Sequence, residues 1–107
     1  MDFELLNNLI KEYVFIVDVL KENVSEEIIN KENKIYLNRE TFEKLLSKNM
    51  FISLEKKKFF WRNNGWISCD KDPFRFTKVI RIGDKTYRKV VIDLRPYLAI
   101  KTAINDW

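Results

Sequence analysis

The sequence predicts a single α+β domain, with helices at both ends and in the middle and one β-hairpin near the C-terminus. Three observations carry that expectation. Apolar residues recur at helical spacing over 3–21, 39–48, 54–64 and 96–106. Two β-branched, alternating stretches, 74–82 and 86–94, flank the turn signal Gly83-Asp84-Lys85. The 107 residues hold only two glycines and two prolines, so regular elements run long within one domain spanning 1–107.

In chain order, residues 3–21 carry Phe3, Leu5, Leu6, Leu9, Ile10, Tyr13, Val14, Ile16, Val17 and Leu20, and Phe15 and Val19 widen the stripe. A helix apolar around most of its girth needs partners on more than one side. Two arrangements supply them. In one, Leu6, Ile10, Tyr13 and Val17, with Tyr97 and Trp107 of the last segment, face a second copy in a homodimer. In the other, the helix is a central core element wrapped by the sheet. Residues 23–33 are polar, with Ser25 a cap for a short helical turn, and 34–37 form a short strand. Asn38 is an N-cap for a helix with Phe42, Leu45 and Leu46 inward. Asn49 to Ile52 break it, Ser53 caps the next helix with Glu55 in its first turn, and Gly65 ends it. Trp66 to Cys69 are short and extended, Asp70 to Pro73 turn, and Pro96 opens the last helix.

Composition excludes several classes of chemistry. There is no histidine, and Cys69 is the lone cysteine, so neither a disulfide within the chain nor a multi-cysteine zinc site can form. Gly65 and Gly83 are isolated, so no glycine-rich phosphate loop exists. Asp70, Asp72 and Asp84 lack metal-loop spacing. No cofactor or metal is expected, and no enzyme, since nothing stands ready to activate Cys69. The longest apolar run, Tyr13 to Val17, is far short of the ~20 residues of a membrane span, and the N-terminus is acidic where a signal peptide is basic. A reducing, cytoplasmic location without membrane contact is the expectation.

The charge is unevenly distributed. Residues 1–55 hold seven Lys/Arg and eleven Asp/Glu, whereas residues 56–89 hold eleven Lys/Arg and three Asp/Glu. A cationic block of this size in an otherwise acidic chain attracts polyanions.

The order helix, short strand, helix, turn, helix, hairpin, helix resembles a winged helix-turn-helix domain over residues 34–94. Phe42 to Leu46 would be the first helix of the pair, Met50 to Ile52 the turn, and Asn63-Asn64-Gly65 the end of the second helix. In size, element order, Asn/Lys/Ile-rich composition and a helix after the wing, the chain is similar to the small TcpK-type accessory proteins of conjugative plasmids. That resemblance implies a sequence-specific protein for double-stranded DNA, and the apolar face of 3–20 adds the dimer. Its place would be at a plasmid origin of transfer or in transcription regulation, alongside other DNA-processing proteins.

Two surfaces are candidates for DNA. The second helix of the pair offers Ser53, Lys56, Lys57, Lys58, Arg62, Asn63 and Asn64. Three adjacent lysines make phosphate clamps rather than base readers, and Phe59, Phe60 and Trp61 demand burial of much of the same helix. Lys58 falls where an apolar stripe through Leu54 and Trp61 wants a hydrophobe. Either Phe59 and Phe60 rotate onto that face, or the lysine stem packs and its ammonium snorkels out. The hairpin offers Arg75, Lys78, Arg81, Lys85, Arg88 and Lys89, with Thr86 and Tyr87 near its tip. It is the denser surface and the expected main contact: Arg81 and Arg88 reading bases, Lys78, Lys85 and Lys89 holding phosphates. Against this stand a charged edge that only prevents strand-to-strand aggregation, and a protein-interaction module on the same fold.

Overall fold

The computed structural model describes residues 2–23, 29–70 and 75–105. Asp2 starts α1 (Phe3–Glu22): its carboxylate accepts the Glu4 N–H at 3.0 Å, satisfying one of the unpaired first-turn donors. A hairpin absent from the sequence expectation follows. β1 (Ile29–Lys31) pairs antiparallel with β2 (Lys34–Leu37) across Glu32 and Asn33, whose φ values are 55° and 60°. Two successive left-handed residues make a type I′ turn, whose twist suits a two-residue hairpin. The expected Ser25-capped turn lies outside the described residues.

Asn38 precedes α2 (Arg39–Leu46) in extended conformation, but its side chain makes no cap hydrogen bond. The helix stops at Leu46 rather than 48 because the Ser47 N–H closes onto Glu43 and Lys44 and its hydroxyl donates to the Glu43 carbonyl at 2.6 Å. Ser53 caps α3 (Leu54–Asn63), its Oγ accepting the Lys56 N–H at 3.3 Å. At the other end Gly65 takes φ +71°. The Trp66 N–H then reaches the Trp61 carbonyl at 2.9 Å and the Gly65 N–H the Arg62 carbonyl at 3.1 Å. That paired closure is the Schellman motif, and the Trp61 and Trp66 rings, 5.7 Å apart, supply its usual apolar contact.

β3 (Ile67–Ser68), β4 (Lys78–Ile82) and β5 (Lys85–Asp93) follow, then α4 (Arg95–Asn105). β1, β2, β5 and β3 lie side by side in that order, every neighbouring pair antiparallel. β5 has two halves. Residues 90–93 sit between β2 and β3, while Lys85–Lys89 pair with β4. The strand expected over 74–82 is shorter than predicted: it begins at Lys78, and Arg75 to Thr77 are outside it.

The core lies on the sheet face bearing Ile35, Leu37, Ile67, Val90 and Ile92. Leu9, Tyr13, Ile16, Val17 and Leu20 of α1 meet it with Phe42, Leu46 and Trp61. Tyr13 stacks on Trp66 with centroids 4.5 Å apart and meets Trp61 edge-on at 5.2 Å. Its hydroxyl donates to the Asp93 carbonyl at 2.6 Å and accepts the Tyr97 N–H at 3.0 Å, tying α1 to the junction of β5 and α4. Of the two arrangements open for 3–21, α1 is therefore a core helix along its inner face. Among the described residues no helix is long and apolar enough to cross a membrane.

Asp93 opens α4. Its Oδ1 accepts the Arg95 N–H at 2.9 Å, and the Arg95 guanidinium reaches Oδ2 at 2.6 Å. The guanidinium hydrogen bonds hold the Asp93 carboxyl below the usual carboxylate range against the burial that would raise it. A carboxylate with a lowered folded-state pKa stabilises the fold at neutral pH, and that contribution is lost as pH falls through the folded-state value, below about 4. Asp93→Asn is expected to lower neutral-pH stability and flatten this acid limb, read as urea midpoints from pH 2 to 7. An unchanged acid limb would exclude Asp93 as its source.

Candidate nucleic-acid interface

The β4–β5 hairpin is closed by Ile82 opposite Lys85, so its loop is the two residues Gly83 and Asp84, and Lys85 already belongs to β5. Gly83 at φ +63° stands first in the turn, and Asp84 has no positive φ, the pattern of a type II′ turn. Cross-strand partners share a face. Arg81 with Thr86 and Val79 with Arg88 therefore occupy one face, and Lys78 with Lys89, Ile80 with Tyr87 and Ile82 with Lys85 the other. Along β5 the arginine face continues into Val90 and Ile92, the side on which the helices pack. The sequence places six basic residues on one ribbon. Only the pairing register shows that the two arginines of the paired strands and the three lysines point to opposite sides.

Residues 81–88 are all exposed. Arg81 Nε donates to the Gly83 carbonyl at 3.3 Å. Arg88 Nη1 reaches Asp70 Oδ2 at 3.3 Å and Thr77 Oγ1 at 3.4 Å. Lys89 donates to Asn38 Oδ1, which accounts for the missing side-chain cap on α2, and lies 5.8 Å from the Tyr87 ring centroid. Lys78 and Lys85 form no ion pair with described residues.

The lysines of α3 require a correction. Lys57 was expected on the DNA side, but its residue exposure is 0%. Its ammonium donates to Glu12 Oε2 at 2.9 Å and to the carbonyls of Leu46 and Asn49, and it lies 4.3 Å from the Phe51 ring centroid. Three donors meet three acceptors. Burial pushes the Glu12 carboxyl up, while the hydrogen bond and charge of Lys57 pull it back. Lys58 is buried too, its ammonium emerging to Glu43 at 3.1 Å and Glu55 at 3.2 Å, so of the two options the packed stem is observed. Phe59 is exposed, with its edge against Phe76 at 5.2 Å. α3 is left with Lys56 and Asn63 fully outward; Ser53 is exposed with its hydroxyl engaged in the cap, and half-buried Arg62 already has a partner.

Between α3, the start of α2 and the base of the hairpin runs a cleft lined by Arg39, Glu55, Lys58, Arg75, Phe76, Thr77 and Arg88. Its cations are largely met by carboxylates: Lys58 by Glu43 and Glu55, Arg39 by Glu43 at 3.8 Å and Arg88 by Asp70, while Arg75 already has a partner; the cleft is continuous with the arginine face. Arg39 was not among the sequence candidates. It lies far from the cationic block, and no local signal marks it.

Tyr13, Val17 and Tyr97 were expected at a dimer interface, but all three are buried in the core of their own chain. Leu6 and Ile10 are half-buried, and Trp107 lies outside the described residues. The outer side of α1 and α4 carries a separate apolar groove formed by Ile10, Val14, Phe15, Ile100, Ala103 and Ile104, with Lys11 and Asp18 at its margins. Phe15 is 58% exposed there and Ile104 60%. Cys69 is half-buried, and burial pushes its thiol up, so it is protonated at neutral pH. Comparison with known proteins returns no matching family model and no matching curated protein.

Removing one partner of a buried ion pair leaves the other uncompensated, at a cost of about 3–5 kcal/mol. Lys57→Met is expected to lose stability on that scale. Lys57→Met with Glu12→Leu should recover part of it, the remainder reflecting the carbonyls of Leu46 and Asn49. Urea unfolding of the single and double variants checks this, and equal losses in both would contradict it.

Proposed function

We propose that this chain is a sequence-specific double-stranded DNA-binding protein of the winged helix-turn-helix kind. In this reading α2 and α3 are the helix pair and the β4–β5 hairpin is the wing. The wing makes the main contact, α3 assists, and the protein acts as a homodimer. The carrying observation is where unneutralised positive charge remains. Lys57 and Lys58 of α3 are compensated by Glu12, Glu43 and Glu55, whereas the projecting hairpin keeps Lys78, Lys85 and Arg81 without a carboxylate partner among the described residues. A two-stranded ribbon fits the major groove, and unpaired cations gain most from displacing counterions around phosphates.

The resemblance drawn from the sequence suggests a plasmid transfer accessory or regulatory factor. The dimer reading is supported by the apolar groove between α1 and α4. Asp18 at its margin is already engaged by Lys101 at 3.2 Å and by the Tyr97 hydroxyl, so the exposed apolar side chains of Phe15 and Ile104 carry this reading. A second reading, a module for an acidic protein partner, is favoured by one feature: Ile80, Ile82 and Tyr87 lie among the lysines on an outward face.

The test is gel retardation of duplexes recovered from a random pool, across a salt series. Arg81→Ala and the pair Lys78→Ala/Lys85→Ala should each weaken binding about tenfold or more, and the lysine pair should lower the salt slope by roughly two. Lys56→Ala should cost less. Binding weakened by Lys56→Ala alone would overturn the wing-centred reading, and no retardation at low salt would favour the protein-partner reading. Phe15→Glu should shift the sedimenting species from dimer to monomer; a wild-type monomer at micromolar concentration would remove the dimer.

A further inference from the structure

We propose that Arg81 alone, of the two arginines in the paired strands, reads a base: a guanine in the major groove, with Thr86 and Val79 beside it against the methyl of a neighbouring thymine. The inference rests on the DNA-binding reading and sharpens it to one side chain and one base step.

Arg81 and Arg88 share a face but differ in freedom. The Arg88 Nη1 is held by Asp70 and Thr77, so moving it onto a base breaks an ion pair and uncovers the buried Thr77. Arg88 thus positions the hairpin against Asp70 and Thr77. In Arg81 only Nε is engaged, with the carbonyl of its own turn, and both terminal nitrogens lack any partner among the described residues. The anchored Nε restricts the side chain while leaving the two Nη groups as a fork. That fork matches guanine O6 and N7, the acceptor pair at the major-groove edge. Part of the ordering cost of an arginine contact is already met in the unbound protein.

The surroundings of Arg81 point to the same groove. Its cross-strand partner is Thr86, and Val79, two residues back on the same face, is 47% exposed. An exposed valine and threonine flanking a cation offer methyl groups where a thymine C5-methyl lies next to a guanine in the major groove. Asp84 stands at the tip of the turn, and the negative potential of the minor groove opposes inserting a carboxylate there. The lysines of the opposite face do not share the groove floor with Arg81, and their long stems serve the flanking phosphates.

The experiment uses the full chain and a duplex recovered by selection from a random pool. Guanines are replaced one at a time by 7-deazaguanine, which lacks the N7 acceptor, or by inosine, which lacks only the minor-groove amino group. Thymines are replaced by uracil. For the wild type, one guanine should show about a tenfold or greater loss on 7-deaza substitution and little loss with inosine, and the adjacent thymine a few-fold loss with uracil. Arg81→Lys keeps the charge and loses the fork. It should bind unselected duplex like the wild type, bind the selected duplex about tenfold more weakly, and be indifferent to 7-deazaguanine. Thermal unfolding of this exposed-site variant should match the wild type. If Arg81→Lys keeps the wild-type sensitivities, or if inosine rather than 7-deazaguanine is the damaging change, the inference is wrong while DNA binding stands. If no selected duplex binds at low salt, the DNA-binding reading itself fails.

Discussion

The burial of Lys57 is the constraint on which the surface of this protein depends. An ammonium in a core is tolerated only when its donors are satisfied and its charge is met. Glu12 of α1 and the carbonyls of Leu46 and Asn49 do both. The two carbonyls belong to the end of α2 and the turn before α3, so one side chain binds α1, α2 and the inter-helix turn together. With Lys57 and Trp61 inward, Lys58 follows to the edge of the core and Phe59 is turned out. The rotation of α3, and with it the loss of two of its three lysines as surface charge, follows from burying Lys57 and Trp61 on one side of the helix.

β5 distributes the rest. Its inner half is buried on both faces, with Val90 and Ile92 toward the aromatic block and Val91 and Asp93 on the other side. Tyr13 reinforces the inner end by hydrogen bonding at the β5–α4 junction. The outer half continues the same strand into solvent, with β4 as its only pairing neighbour among the described residues. A continuous strand anchored this way carries its register into the hairpin, so the faces of Arg81 and of the lysines are set by residues deep in the core. The Arg88 contacts with Asp70 and Thr77 and the Lys89 contact with Asn38 brace the base of the ribbon.

Two separate surfaces thus carry different chemistry. The hairpin carries Lys78, Arg81 and Lys85 without a carboxylate partner among the described residues, while the outer side of α1 and α4 is apolar. The two surfaces share no residues, so the polyanion contact and the self-association proposed above would not compete.

Much of the element order was legible in the sequence, because it rests on local chemistry. Periodicity located the four helices of the described residues, Ser53 and Gly65 bounded α3, and Gly83 located the turn of the ribbon. The charge asymmetry also marked the hairpin as the main cationic feature. The β1–β2 hairpin was missed because Glu32-Asn33 is a weak turn signal, formed here by two non-glycine residues at positive φ. The fates of individual cations were not legible. Lys57 meets Glu12 across 45 residues and Lys89 meets Asn38 across 51, and no pattern within a helix or strand reports such encounters. Composition and periodicity therefore determined which segments are helical, which are extended and where positive charge concentrates. Tertiary packing alone decided which of those charges stay in solvent, because the cost of burying an ion depends on partners that only folding brings within reach.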